Sequence, residues 1–327
     1  MSAADYGAGR FLRLVTFSLS HFLDEPLPIG RATNTTRMAS GSAAAPPRFR
    51  PILKWAGGKG RLLPKILPLL PERIETYFEP FVGGGAVFFA LASERRFRRA
   101  VLSDLNAELV DVYRGIKKDV EAVIRLLEQY RKKHDADLYY RTRQLEPQRM
   151  ELAERAARLI YLNKTGYNGL YRVNRKGQFN VPFGSYVNPA ICDAERLRAA
   201  AVTLRARGLK LEVGDFASVT ERAQPGDAVY FDPPYAPRST TANFTSYHSQ
   251  EFGRVEHERL ASTLEALTER GVRTVLSNSD TRFTRQLYDR QRFQVQKVLV
   301  ARPINSKSTA RGRVGELLVD NSRVLAR

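Results

Sequence analysis

The chain has 327 residues, is 43% hydrophobic, and carries 53 Lys+Arg against 34 Asp+Glu for a net charge of +19. Its length and apolar content suit a sizeable core in one or two domains, while no apolar run approaches the ~20 residues that span a bilayer, so a helical membrane protein is excluded. The basic excess points to a polyanionic partner, and Cys192 as the single cysteine excludes an internal disulfide and fits a reducing, cytoplasmic setting.

Residues 1–48 look unlike the rest, with an interrupted apolar stretch from Arg10 to Leu23 and a Ser/Ala/Pro-rich linker from Ala39 to Pro47. Arg10 and Arg13 precede Leu14-Val15-Thr16-Phe17 as in a signal peptide. Ser18, Ser20 and His21 break that run, and no small-residue cleavage site follows. A disordered extension is expected there, with ordered sequence from near Pro51. Leu53-Lys54-Trp55-Ala56-Gly57-Gly58-Lys59-Gly60 superficially resembles a phosphate loop. It lacks the Walker spacing, and Gly60 stands where Ser or Thr should follow the lysine, which disfavours nucleoside triphosphate binding. Lys59 could instead hold a cofactor carboxylate, with Trp55 packed on it.

Tyr77-Phe78-Glu79-Pro80-Phe81 reads as a strand, followed by Gly83-Gly84-Gly85 and an apolar helix start at Ala86-Val87-Phe88-Phe89. Ala100-Val101-Leu102-Ser103 is a second strand ending at Asp104. This is the opening of a doubly wound α/β domain. Glycines at 83–85 let the backbone approach a ligand closely. Asp104, about twenty residues on, stands where an acid accepts bonds from ribose hydroxyls. Phe88 occupies the third glycine position of the dinucleotide fingerprint, so a pyrophosphate on the helix start is not expected. S-adenosylmethionine, a cationic sulfonium with no phosphate, would suit Glu79 and Asp232.

From about Asp111 the pattern turns helical and charged through Val120–Leu127, and Leu152, Ala156, Leu159, Ile160 and Asn163 mark one face of an amphipathic helix. A polar, Gly/Asn-rich stretch from Asn163 to Tyr186 has the look of a hairpin or ordered loop. Strands resume at Leu209–Val213 and Ala228–Phe231; Leu260, Leu264 and Leu267 lie on a helix closed by Gly271, and Val272–Ser277 is another strand. The expected architecture is a Rossmann-like doubly wound sheet of residues 49–110 and 205–327, interrupted by a mainly helical insert at 111–204. The four histidines, His21, His134, His248 and His257, share no metal-ligand spacing, and no metal is expected.

The densest chemistry is at Tyr230-Phe231-Asp232-Pro233-Pro234-Tyr235. A buried strand stops at an acid and two prolines that cannot donate to the ladder, so the chain turns outward. One carboxylate, the Pro233 carbonyl and the Tyr235 ring gather at a strand end, which suits an exocyclic amine on a flat base. With Lys54–Lys59, Glu79-Pro80-Phe81-Val82-Gly83-Gly84-Gly85, Ser103-Asp104-Leu105-Asn106, Gly166-Tyr167-Asn168-Gly169-Leu170, Phe179–Gly184, Ala242-Asn243-Phe244-Thr245 and Ser277-Asn278-Ser279-Asp280, the chain resembles a DNA adenine-N6 methyltransferase of the Dam family from Leu53 to about Leu318.

The resemblance implies that Trp55, Lys59, Asp104 and Asp232 touch S-adenosylmethionine. It implies further that Glu79 and Gly83–Gly85 shape the methionine pocket, and that Asp215 and Phe216 lie near the cofactor adenine. The insert becomes a target-recognition subdomain reading duplex DNA. Tyr167 and Asn168 belong to the matched hairpin, Lys54, Arg172 and Tyr186 match base-contacting positions, and Leu170 and Pro182 stand for thymine contact, as base-edge chemistry also suggests. The implied site is GATC, methylated by a monomer in the cytoplasm, associated with the nucleoid through its DNA. Asp232, Pro233 and Tyr235 would grip an extruded adenine. The rivals are an RNA adenine methyltransferase and a non-catalytic DNA-binding protein on a decayed fold. Glutamine and N4-cytosine enzymes usually begin this motif with Asn or Ser, and Asp232 disfavours both.

Overall fold

A computed structural model describes residues 51–237, 252–288, 293–301 and 313–326; the extension 1–48 and Ala242–Thr245 lie outside them. In chain order the strands are β1 (Ile74–Glu79), β2 (Phe97–Asp104), β3 (Leu209–Val213), β4 (Ala228–Phe231), β5 (Arg273–Ser279), β6 (Gln294–Ala301) and β7 (Arg313–Asp320). They form one sheet in the order β3-β2-β1-β4-β5-β7-β6. β1 to β5 pair in parallel, and β7 inserts antiparallel between β5 and β6. The helices are α1 (Leu63–Ile66), α2 (Ala86–Ser93), α3 (Ala107–Lys132), α4 (Ala136–Gln144), α5 (Leu152–Thr165), α6 (Ala194–Leu204), α7 (Val219–Arg222), α8 (Arg254–Glu269), α9 (Arg282–Tyr288) and α10 (Ser322–Leu325).

The central strands are apolar on both faces, as parallel strands covered by helices must be. Tyr77, Ala100, Leu102, Tyr230 and Val275 face one core, and Phe78, Val101, Val229, Phe231 and Leu276 face the other, the period-two alternation of a pleated strand. β1 reaches back to Ile74 and ends at Glu79, before Pro80, which has no N–H for the ladder. The chain runs from β1 to β2 on one side and β4 lies on the other, so the strand order reverses at β1/β4. In open α/β sheets that reversal leaves a crevice beyond the carboxyl ends of the strands.

The insert is built on α3 and α5. α3 starts at Ala107, earlier than the expected Asp111, because the Asn106 side chain caps the Leu109 N–H at 3.2 Å. Asp119 breaks it with φ −148° and recaps the continuation by accepting from Ala122 N at 2.9 Å. α5 is buried almost all round, and a Cβ on Gly115 of α3 would meet the Ala156 Cβ at 2.7 Å, so only glycine permits this helix crossing. Arg158 is 2% exposed. Its guanidinium satisfies the Thr142 and Arg143 carbonyls at the end of α4 at 3.1 and 3.0 Å, and pairs with Glu108 at 2.7 Å. Breaking such a buried pair typically costs ~3–5 kcal/mol. One core runs unbroken from Tyr77 and Leu102 of the sheet to Ile116 and Leu159 of the insert.

Two features have no trace in the sequence reading above. In the run Arg95-Arg96-Phe97-Arg98-Arg99, Arg96 folds inward and donates to the carbonyls of Leu67 at 2.9 Å, Pro71 at 3.1 Å and Leu70. Arg98 and Arg99 remain exposed and pair with Glu75. β6 and β7 had no counterpart in the sequence reading; they extend the sheet as an antiparallel pair, with β7 inside it and β6 at its edge.

Candidate active site

β1 and β4 end side by side, and each carries an acid at its carboxyl end. Residues two apart on a strand share a face, so the Tyr77 hydroxyl reaches forward along β1 and donates to Glu79 Oε2 at 2.8 Å. By the same spacing Tyr230 precedes Asp232, and Ser277 from β5 bridges them: its Oγ lies 2.9 Å from the Tyr230 hydroxyl and donates to Asp232 Oδ1 at 3.0 Å. Lys59 Nζ sits 2.6 Å from the same Asp232 oxygen and donates to Gly57 O at 2.6 Å. That ammonium also lies 4.6 Å from the centre of the Tyr235 ring, within cation–π range. Both contacts to Asp232 land on Oδ1.

Tyr235 is oriented from β7, where Glu316 Oε2 accepts its hydroxyl at 2.7 Å. The turn after the motif is strapped to the end of β5. Ala236 N donates to Asn278 Oδ1 at 3.2 Å, and Ser279 Oγ donates to Ala236 O at 2.7 Å. Among the described residues no donor reaches the Pro233 carbonyl.

Electrostatics at this edge is short of positive charge, because two buried carboxyls share one ammonium. Burial pushes Glu79 up to about 8; the bond from Tyr77 opposes that rise and the Asp232 charge adds to it. Burial also raises Asp232, opposed by Lys59 and Ser277. A sulfonium placed here would draw both carboxyls back toward their charged forms, so the donor set fits S-adenosylmethionine. Asp104, at the end of β2, is raised by burial to about 6 against bonds from Asn106 N at 3.0 Å and Gly83 N at 3.3 Å.

The glycine loop answers to a neighbour as well as to a ligand. Gly83 has φ +46°, and a Cβ there would come within 2.9 Å of Trp55 Cδ1, so the indole lies on the loop. Tyr113 donates to Gly83 O at 2.7 Å. Gly85, φ +67°, starts α2. Asp215 and Phe216 stand past the end of β3, next to Asp104 through the Gly214 N to Asp104 O bond of 3.2 Å. Asp215 caps Ala217 N and pairs with Arg259, while Phe216 is buried against Phe81 at 5.4 Å between ring centres. No direct contact joins this pair to Asp232 or Lys59.

The segment 163–186 folds as an irregular hairpin with antiparallel bridges Gly166↔Phe183 and Val173↔Phe179. Lys54, Tyr167, Asn168, Leu170 and Pro182 are exposed, and Arg172 and Tyr186 are half-buried. Lys54 Nζ lies 4.3 Å from the Tyr186 ring centre. Arg172 donates across the hairpin to Asn180 Oδ1 at 2.7 Å and Asn180 O at 3.0 Å.

Sequence reading gave no role to Tyr77, Tyr113, Tyr230, Ser277, Asn278 or Glu316. The two tyrosines at i, i+2 before an acid were visible as a pattern, and Ser277 and Asn278 lay in a quoted motif. Glu316 had no signal, since its place depends on β7 entering the sheet beside β5. Among the described residues no cluster of metal-ligating side chains forms, and no helix is long and apolar enough to cross a membrane.

Comparison with known proteins adds to this geometry. The family of D12 class N6 adenine-specific DNA methyltransferases matches residues 55–301. The type II methyltransferase M1.LlaDCHI of Lactococcus lactis subsp. cremoris is 41% identical over 277 residues, covering 84% of this chain and 95% of that protein. The type II methyltransferase M.MjaIII of Methanocaldococcus jannaschii is 39% identical over 289 residues, covering 83% and 99%. The DNA adenine methylase of Escherichia coli (strain K12) is 38% identical over 271 residues, covering 82% and 94%.

Proposed function

This chain belongs to the D12 class N6 adenine-specific DNA methyltransferases and methylates adenine N6 in DNA from S-adenosylmethionine; on that premise we propose that it acts as a monomer on duplex DNA at GATC, extruding the target base. The observation that carries the catalytic reading is Asp232, whose Oδ1 is engaged by Lys59 and Ser277. Oδ2 is then the acceptor for one N6 proton, and the Pro233 carbonyl accepts the other. The Tyr235 ring stacks on the extruded base, which leaves the stack at a cost of a few kcal/mol.

S-adenosylmethionine supplies the activated methyl group. Trp55, Lys59, Glu79, Gly83, Gly85, Asp104, Asp215 and Phe216 would hold it, Lys59 at its carboxylate and Asp104 at its ribose. With both N6 protons directed to acceptors, the nitrogen lone pair points away from them, toward the methyl the cofactor would present; the N–C bond would form as the methyl–sulfur bond breaks, with the neutral thioether as leaving group. The positive charge developing on nitrogen is met by Asp232, which accepts the departing proton. No covalent adduct with the protein is needed.

Residues 111–204 serve as the target-recognition subdomain in this reading. Arg172 and Lys54 address guanine edges, Leu170 and Pro182 the thymine methyl, and Tyr167, Asn168 and Tyr186 the flanks of the opened pair. The +19 charge supports a polyanionic substrate, and the protein acts in the cytoplasm at the nucleoid. The test is to treat plasmid from an unmethylated host with protein and S-adenosylmethionine, then digest with enzymes of different tolerance to methylated GATC. Protection confined to GATC is expected; protection at another sequence would overturn the specificity, and methyl on any base atom but N6 the mechanism.

A further inference from the structure

The recognition hairpin and the cofactor segment meet at one buried amide. Asn163, near the end of α5, is 1% exposed. Its Oδ1 accepts from Lys54 N at 2.8 Å, and its Nδ2 donates to Lys54 O and Gly169 O, both at 2.8 Å. Both backbone groups of Lys54 are thus held as in a β-bridge, and the hairpin is held to the same amide. The contact is close: a Cβ on Gly169, which has φ +63°, would come within 2.6 Å of the Lys54 Cβ. Tyr171, further along the hairpin, lies against Trp55 at 5.6 Å and donates to Glu108 Oε1 at 3.2 Å.

The strand of chain leaving this clamp is short. Lys54 faces the proposed DNA side, Trp55 lies on the glycine loop, and Lys59 ends on Asp232. Between them Ala56, Gly57 and Gly58 are exposed, Gly57 has φ +81°, and the turn bond from Gly58 N to Trp55 O is 3.1 Å. Two glycines make this span costly to order. Its two ends are fixed by different things, Asn163 and the hairpin at one, Lys59 with Asp232 at the other. A ligand that orders either end lowers the ordering cost left to the second ligand, which is positive coupling between the sites.

We propose that Asn163 is the positioning residue through which site recognition by the hairpin tightens the cofactor pocket. The proposal rests on the reading above that Lys54 and the hairpin face DNA. By reciprocity, cofactor binding strengthens recognition by the same factor. Asn163 touches neither ligand in this account; it acts through Lys54 and Gly169.

The test measures the affinity of S-adenosylhomocysteine, the cofactor without its transferable methyl, by calorimetry with and without two duplexes, one carrying the sequence that methylation mapping identifies and one with a single base of it changed. In the wild type the first duplex is expected to tighten cofactor binding roughly tenfold and the second to leave it near its DNA-free value. Asn163→Asp keeps the Oδ1 acceptor and loses both donors. It should bring the ratio close to one while cofactor affinity without DNA changes by less than about threefold. Gly169→Ala leaves Asn163 intact but forces the hairpin off Lys54, and it should lose the ratio too, so the proposal stays testable if Asn163→Asp folds poorly. Leu264→Ala, in the core on the other sheet face, should lower the melting temperature and keep the ratio. A wild-type ratio of one, or wild-type coupling in both Asn163→Asp and Gly169→Ala, would overturn it. Failure of the GATC reading is seen separately, as methylation mapping to another sequence.

Discussion

At the carboxyl ends of β1, β4 and β5, polar side chains find partners inside the fold: Tyr77 with Glu79, Tyr230 with Ser277, Ser277 and Lys59 with Asp232, Tyr235 with Glu316. In the 163–186 hairpin most of the side chains with proposed contacts to DNA are exposed. Tyr167, Asn168, Leu170 and Pro182 are exposed, and Arg172 is held by Asn180 from across the same hairpin. The first region is pre-organised by strands whose spacing cannot drift, as a group-transfer site requires. The second is loop on a rigid base, and loops can change what they read without disturbing the chemistry.

The largest effect that would sharpen this contrast is at Asp232. Asp232→Ala is expected to lower kcat on the order of a thousandfold, with DNA affinity by fluorescence anisotropy changed less than about threefold. Equal losses of binding and turnover would break the division between the two regions. On the reading side, Arg172→Ala should cost discrimination of roughly 1–3 kcal/mol at one base position. It should appear as a fall in kcat/KM on the preferred duplex and a narrower margin over a duplex changed at that position. A uniform fall on both duplexes would reassign Arg172 to phosphate.

Glu79 tests the electrostatics of the catalytic edge. The unfolded chain releases this proton near the ordinary glutamate value, whereas the folded protein holds it to about 8. The stability it contributes is therefore full at acid pH and declines as pH rises toward 8. Glu79→Gln cannot titrate, so without cofactor its melting temperature should gain on the wild type across that window and level off above it. A difference that does not change with pH would mean that Glu79 stays charged beside Lys59. The smallest effect is expected for Tyr235→Phe, which keeps the stacking ring and loses the bond to Glu316. Its kcat should fall less than about tenfold, against a far larger loss in Tyr235→Ala.

How far the site could be read from the chain follows the same division. Asp232 and Pro233 were legible because a strand that ends in acid-proline-proline has few places to go, and Glu79 and Asp104 because each closes an apolar strand. Asn163 was legible only as one mark on a helix face; its bonds to residues 109 and 6 positions away leave no local trace. Arg96 looked like one of four equivalent surface cations, and only packing turned it inward.

The sequence alone determined the α/β class, the strand-end acids, the glycine loop and the order of motifs, since these follow from period-two and helical patterning and from residues with strict backbone demands. Tertiary structure alone decided which groups meet: β7 beside β5 brings Glu316 to Tyr235, and α5 brings Asn163 to Lys54. Such meetings depend on strand register and helix crossing, which arise from burying both faces of the sheet at once and have no signature in any local stretch of chain.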